Sequence, residues 1–247
     1  MGKGSIKVQK DANVARKSRY AEKTASFNPD YKLDDFHPTE SQQEIVQSVI
    51  WNDLTIVNGK AGTGKTSTVL WKALGMVKSG DMRQLIFIKN PTEVGDDQIG
   101  FLSGDKKDKL VAHYDSTKRI FHQFVSAGKL DSDITSGKIE LTIPNYALGA
   151  TWDNAIIIVD EAQLMSPMTI KLLLERTGEN SRVVLLGDIS QTYAVKHRKN
   201  GLLDLIERVT EVEDDERYPI TDFIGYVELT SEDNQRSRLS KFITEIY

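Results

Sequence analysis

The chain has 247 residues, 39% of them hydrophobic, which is enough to bury a sizeable core, and its length suits one large domain or one domain with an appendage. With no cysteine it can hold neither a disulfide framework nor a thiolate metal site, and four scattered histidines argue against a histidine zinc centre. No apolar run is long enough to span a bilayer and the first residues lack the apolar core of a signal peptide, so the expectation is a cytoplasmic protein with no membrane contact.

The net charge of −4 conceals an asymmetry. Between Met1 and Lys23, seven basic residues (Lys3, Lys7, Lys10, Arg16, Lys17, Arg19, Lys23) face only Asp11 and Glu22, a local net charge of +5. Residues 1–35 show little apolar periodicity and read as a basic arm. Such an arm is either a solvated terminus or a contact for RNA, DNA or a neighbouring subunit. The folded body is expected from Phe36 to the end of the chain, residues 36–247.

An amphipathic helix carrying Ile45, Val46, Val49 and Ile50 follows, with Thr39 or Ser41 as its cap. Gln42, at the start of this helix, has an amide that offers donor and acceptor to an adenine edge, although an exposed helical glutamine is the plainer alternative. The apolar run Leu54-Thr55-Ile56-Val57 then leads into Gly59-Lys60-Ala61-Gly62-Thr63-Gly64-Lys65-Thr66, and a helix with Val69, Leu70, Ala73, Leu74 and Val77 on one side comes next. Strand, glycine-rich turn and helix in that order form a phosphate-binding loop. Glycines permit the tight turn, successive amides face the phosphates, Lys65 reaches the β- and γ-phosphates, and Thr66 places a hydroxyl on Mg²⁺. Ser67 completes the set expected to touch nucleotide. At average residue usage the pattern arises by chance in about one chain of this length in a hundred.

Leu85-Ile86-Phe87-Ile88 reads as a second buried strand, and the loop from Asn90 to Gly104 either faces the ligand crevice or simply connects. Residues 106 to 128 read as one helix, and Lys138 to Ile143 as a strand that Pro144 ends. The β-branched run in Ala155-Ile156-Ile157-Ile158-Val159 predicts a strand buried on both faces, with Asp160 and Glu161 at its end. Two adjacent carboxylates there suit Mg²⁺ binding by Asp160 and water activation by Glu161; a solvated acidic turn is the alternative when the phosphate loop is ignored. A helix runs from Pro167 to a stop at Gly178, and Arg182-Val183-Val184-Leu185-Leu186 forms another strand. Gln191, just beyond it, has the chemistry to contact the γ-phosphate or orient a water. A helix begins at Gly201, Glu207 to Arg217 reads as an acidic loop, Tyr226-Val227-Glu228-Leu229 as the last strand, and a closing helix includes Arg236 and Arg238.

Gln42, the phosphate loop, Gly100-Phe101-Leu102-Ser103-Gly104, Asp160-Glu161-Ala162-Gln163, Gly187-Asp188-Ile189-Ser190-Gln191 and Asp233-Asn234-Gln235-Arg236-Ser237 together resemble the PhoH-like (phosphate-starvation-inducible) family of P-loop ATPases, related to the helicase superfamily 1 core. The resemblance runs from about Thr39 to about Leu239. It implies an α/β, RecA-like fold with a mostly parallel central sheet flanked by helices, Mg²⁺-dependent ATP hydrolysis, single-stranded RNA or DNA binding or unwinding, and homo-oligomers that form rings, a hexamer among them. It gives Gln42 the adenine, Lys65 and Thr66 the phosphates and metal, Asp160 and Glu161 the metal and water, and Gln191 the γ-phosphate. Arg236 matches the family's late arginine, a finger reaching across a subunit boundary. The chain departs from the pattern at Asn90-Pro91, where Arg-Pro is usual, at Ser103, where proline is usual, and at polar Asn234 and Gln235 before the arginine. No nuclease-like domain is expected ahead of the core, and one RecA-like unit fits where superfamily 1 helicases use two. The alternatives are an ATP-dependent oligomeric binding module without helicase activity and, further off, a small-molecule kinase.

Overall fold

The computed structural model describes residues 30–90, 117–147, 151–191, 200–213 and 221–235, together with residues 115, 149, 237, 239 and 242. Six strands form one sheet: β1 (Leu54–Gly59), β2 (Gln84–Lys89), β3 (Ile139–Thr142), β4 (Ala155–Asp160), β5 (Arg182–Gly187) and β6 (Ile224–Leu229). Their order is β3-β2-β4-β5-β1-β6, and every pairing is parallel. Parallel neighbours need crossovers, and helices supply them: α1 (Glu40–Trp51), α2 (Lys65–Ser79), α3 (Ala127–Thr135), α4 (Pro144–Ala147), α5 (Pro167–Leu174) and α6 (Gly201–Glu213).

The continuous apolar run of β4 is explained by its two faces, because successive strand side chains point to opposite sides. Ile156 and Ile158 join Val57, Phe87, Val184 and Leu186 in a core with α1 and α2, whereas Ile157 and Val159 join Ile86, Ile88, Val183 and Leu185 in a second core with α5. The all-buried pattern of β1, β4 and β5 follows. α1 starts at Thr39 with a capping box: the Thr39 hydroxyl accepts from the Gln42 amide nitrogen (3.4 Å), and Gln42 Oε1 accepts from the Thr39 N–H (3.1 Å). Thr39, not Ser41, is therefore the cap.

Four expectations are corrected. The helix expected over 106–128 does not run through: residues 117–121 are helical, the chain then turns and makes an antiparallel bridge from Val125 to Tyr31, and Ser126 caps the separate α3; residues 106–114 lie outside the described residues. Tyr31 and Leu33, ahead of the expected start at Phe36, are buried in the first core, and Tyr31 donates to Asp133 Oδ2 at 2.5 Å. The acidic loop expected from Glu207 is helical up to Glu213, since α6 continues through it; residues 214–220 lie outside the described residues. α5 ends at Leu174, short of Gly178, because the chain turns to pair with residues 152–154: the Gly178 N–H donates to Trp152 O (2.8 Å) and the Trp152 N–H to Arg176 O (3.1 Å). Pro144 does not merely follow β3; it opens α4, where its missing N–H costs nothing. Residues 1–29 of the basic arm, the loop 91–104 and most of the closing segment lie outside the described residues.

Phe87 is fully buried at the centre of β2 and meets Phe121 edge to face, with ring centroids 5.4 Å apart. Phe87→Ala should lower unfolding free energy by about 3–5 kcal/mol, read as a lower urea midpoint at unchanged slope.

Candidate active site

The carboxyl ends of β1, β4 and β5 lie side by side because β5 sits between β1 and β4. The loop after β1 is shaped by two left-handed glycines, Gly62 (φ 91°) and Gly64 (φ 81°), conformations costly to residues with a Cβ. Gly64 is also the residue before α2, and it supplies no side-chain cap, so the first amides of a 15-residue helix are left for a ligand. A Cβ on Gly64 would stand 2.4 Å from Gln42 Nε2. That amide is buried and donates to Thr63 O (3.1 Å), while its oxygen is used by the capping box. Gln42 thus ties α1 to the back of the loop. The Thr63 hydroxyl donates to Lys60 O (3.0 Å), and Lys65 Nζ donates to the carbonyls of Gly59 and Lys60. From the far side, Asn234 Nδ2 donates to Ala61 O (3.3 Å) and the Gln235 N–H to Gly62 O (3.0 Å). Of the two polar residues that depart from the family pattern, Asn234 clips the loop with its side chain, whereas Gln235 does so only through its backbone N–H.

Opposite the loop, the Thr66 hydroxyl donates to Asp160 Oδ1 (3.1 Å), and Lys89 Nζ lies 3.9 Å from Asp160 Oδ2. Burial, then the adjoining Glu161 carboxylate, push the Asp160 carboxyl up to about 6, against the pull of Lys89, Thr66 and Lys65. Glu161 itself sits in the left-handed region (φ 57°), which turns the chain sharply off the strand. Gln163 Nε2 donates to Glu161 Oε2 (2.7 Å) and to Gln191 Oε1 (3.4 Å), and Gln163 Oε1 accepts from the Asp188 N–H (3.3 Å). Gln191 Nε2 in turn donates to Asp188 Oδ2 (3.1 Å).

These groups surround one cavity of about 400 Å³. Of the residues expected from sequence, Ala61, Gly62, Gly64, Lys65, Thr66, Ser67, Asp160, Glu161 and Gln191 line it. Gly59, Lys60 and Thr63 shape the loop from behind, as does Gln42. Arg236 and the Gly100–Gly104 loop lie outside the described residues. The wall also contains Lys89, Ile120, Gln123 and Asp188, which sequence reasoning did not assign to the site. Lys89 was findable as the charge ending a buried strand; Gln123, held by the Ser67 hydroxyl at 3.1 Å, belongs to no motif.

A hydroxyl and a buried carboxylate in contact are hard oxygen donors, the set Mg²⁺ takes alongside phosphate oxygens and waters. Among the described residues no group of three or more His, Cys, Asp or Glu could hold a metal by itself, so a metal here would depend on ligands from the nucleotide. Thr66 and Asp160 fit that role.

A carboxyl whose folded value exceeds its unfolded one binds its proton more tightly when native. Stability is therefore lost as pH rises from about 4 to about 6, and the full cost applies above that window. Asp160→Asn should be isostable with the parent near pH 4 and more stable by on the order of 2–3 kcal/mol near pH 8, measured by urea unfolding across pH. Millimolar Mg²⁺ with nucleotide should narrow the gap.

A family model described as "PhoH-like protein" matches residues 37–247. A PhoH-like protein of Bacillus subtilis (strain 168) is 32% identical over 209 residues, covering 85% of this chain and 62% of its own length. Protein PhoH of Escherichia coli (strain K12) is 30% identical over 210 residues, 84% of this chain and 56% of its own. The chain thus spans between half and two thirds of the length of the curated relatives it matches. Among solved structures, the large terminase from a thermophilic bacteriophage aligns with 86% of this chain and 51% of its own, at 14% identity and a TM-score of 0.48.

Proposed function

The chain belongs to the PhoH-like family, and from that membership and the site geometry we propose that it is a Mg²⁺-dependent ATPase whose turnover is coupled to single-stranded RNA or DNA. One observation carries the reading: the uncapped start of α2, the Thr66–Asp160 contact, Glu161 and Gln191 all face a single cavity. Each part then has a task. The amides after Gly62 cradle the β- and γ-phosphates, and Lys65 exchanges its carbonyl partners for phosphate oxygens. Thr66 and Asp160 would hold Mg²⁺, which when bound would neutralise charge on the phosphates. Glu161 takes the proton of the attacking water, and Gln191 contacts the γ-phosphate from the neighbouring strand. Gln42 holds the loop and has one N–H left for an adenine edge.

Superfamily 1 helicases place nucleotide between two RecA-like units, and this chain has the parts of one. A second copy would complete the site, with Arg236 as a finger across the boundary in a homo-oligomeric ring, hexameric in its simplest form. The basic arm, net +5, is suited to nucleic acid or to that neighbour. A cytoplasmic setting agrees with a chain without cysteine, and no helix among the described residues is long and apolar enough to cross a membrane. The alternative, an ATP-dependent oligomer that grips nucleic acid or a partner without unwinding it, uses the same site and differs only in its output.

ATP hydrolysis should be measured against protein concentration, with and without single-stranded RNA and DNA. The rate per chain should rise with concentration and with nucleic acid. Lys65→Ala should abolish nucleotide affinity and turnover, and Arg236→Ala should cost about 10³-fold in turnover while sparing nucleotide binding. Absence of turnover in the parent protein under every condition would refute the reading, and an unwinding assay separates the two outputs.

A further inference from the structure

Resting on the proposed hydrolysis, we infer that Gln163 is a positioning residue: its amide locks the Glu161 carboxylate of the β4 end to the Gln191 amide of the β5 loop, so that the two groups act as one unit. Gln163 has no exposed surface, although its side chain is polar. A buried amide must be satisfied, and backbone partners would suffice for a purely structural role. Here two of its three partners are instead side chains that line the cavity, Glu161 and Gln191; the third is the N–H of Asp188, another lining residue.

The geometry allows little slack. A Cβ on Gly187 would stand 2.7 Å from Gln163 Oε1 and 2.4 Å from Leu202 Cδ2, so the amide is wedged between the end of β5 and α6. Glu161 and Asp160 are adjacent carboxylates that repel, and the only described side-chain donor to Glu161 is Gln163 Nε2, at 2.7 Å. That bond fixes which way Glu161 points. A shift of the β5 loop, where a γ-phosphate would be felt through Gln191, pulls on Gln163 Oε1 through Asp188 and so reorients Glu161. The water-activating group would then be aligned only when the β5 loop is in place, which gates hydrolysis without a new contact to the nucleotide.

The test uses Gln163→Met, which keeps the length of the side chain and removes its donor and acceptor. Gln163→His returns a ring N–H donor. Gln163→Met should lower kcat by about 10- to 100-fold, the range seen when the partner that orients a working side chain is removed. KM and affinity for a fluorescent ATP analogue should stay within about twofold, and Gln163→His should recover most of the loss. In a Glu161→Gln background, Gln163→Met should have no further effect on kcat, because the residue acts through Glu161. Unchanged kcat in Gln163→Met, a parallel fall in nucleotide affinity in both variants, or multiplying effects in the double variant would each overturn the inference. A parent protein without turnover would overturn it together with the ATPase reading. A parent that hydrolyses ATP beside an equally fast Gln163→Met would overturn the inference alone.

Discussion

The start of α2 is left without a side-chain cap, and the surrounding structure keeps it that way. An uncapped helix end carries unsatisfied N–H groups and the positive pole of the helix dipole, and ordinary chains close it with a serine, threonine or aspartate. Gly64 cannot close it. The loop before it would be free to collapse onto those amides, and two separate elements hold it in place. Gln42 holds Thr63 from the side of α1, while Asn234 and Gln235 hold Ala61 and Gly62 from the segment after β6. Lys65 meanwhile rests on the carbonyls of Gly59 and Lys60 and is held ready close to the position a phosphate would draw it to. The glycines, the clips and the lysine together keep backbone amides uncovered, as the proposed anion site would require.

The same requirement explains the cost accepted on the other side of the cavity. Asp160 lies at the end of a strand buried on both faces, and Glu161 follows at once, so the pair would be destabilising in a protein that did not bind a cation there. The upward push on the Asp160 carboxyl, from burial first and the Glu161 charge second, is the sign of that frustration. Lys89 at 3.9 Å and the Thr66 hydroxyl at 3.1 Å offset only part of it. Function-bearing groups often violate the rules that make the rest of a chain stable, and the compensation here is the packing of β1, β4 and β5, whose every residue is buried.

What the sequence made legible follows from this division. Strands buried on both faces announce themselves as unbroken apolar runs, and the phosphate loop and the Asp160-Glu161 pair announce themselves by local spacing, so both the sheet and most of the cavity wall could be read in advance. The failures lie where tertiary contacts decide. Residues 106–128 have helical composition throughout, but the bridge from Val125 to Tyr31 and the cap at Ser126 break them, and no local signal fixes a partner 94 residues away. The charges from Glu207 suggested a loop, yet α6 continues as a helix to Glu213, since charged residues are compatible with a helix whose other face is apolar. Asn234 departs from the family pattern in sequence, and its side-chain hydrogen bond to Ala61 O gives that departure a physical reason; polar Gln235 has none, since it bonds the loop through its backbone. Gln163 stood inside a motif that was read for its carboxylates, and only the fold brings Asp188 and Gln191 to it.

The placement of β5 between β1 and β4 is the topological step that turns these local features into a machine part. Were β1 and β4 direct neighbours, the phosphate loop and the carboxylates would face each other with nothing between them to report on the bound phosphate. An intervening strand about 4.8 Å from each neighbour puts its own loop over the junction, and that loop carries Asp188 and Gln191. It also reaches outward: the Ile189 N–H donates to Asn58 Oδ1 (3.1 Å), and Asn58 Nδ2 donates to Glu228 Oε1 (3.2 Å) on β6, whose neighbour Tyr226 is exposed. The β5 loop is therefore tied by hydrogen bonds toward Glu161, through Gln163, on one side and toward the edge strand, through Asn58, on the other.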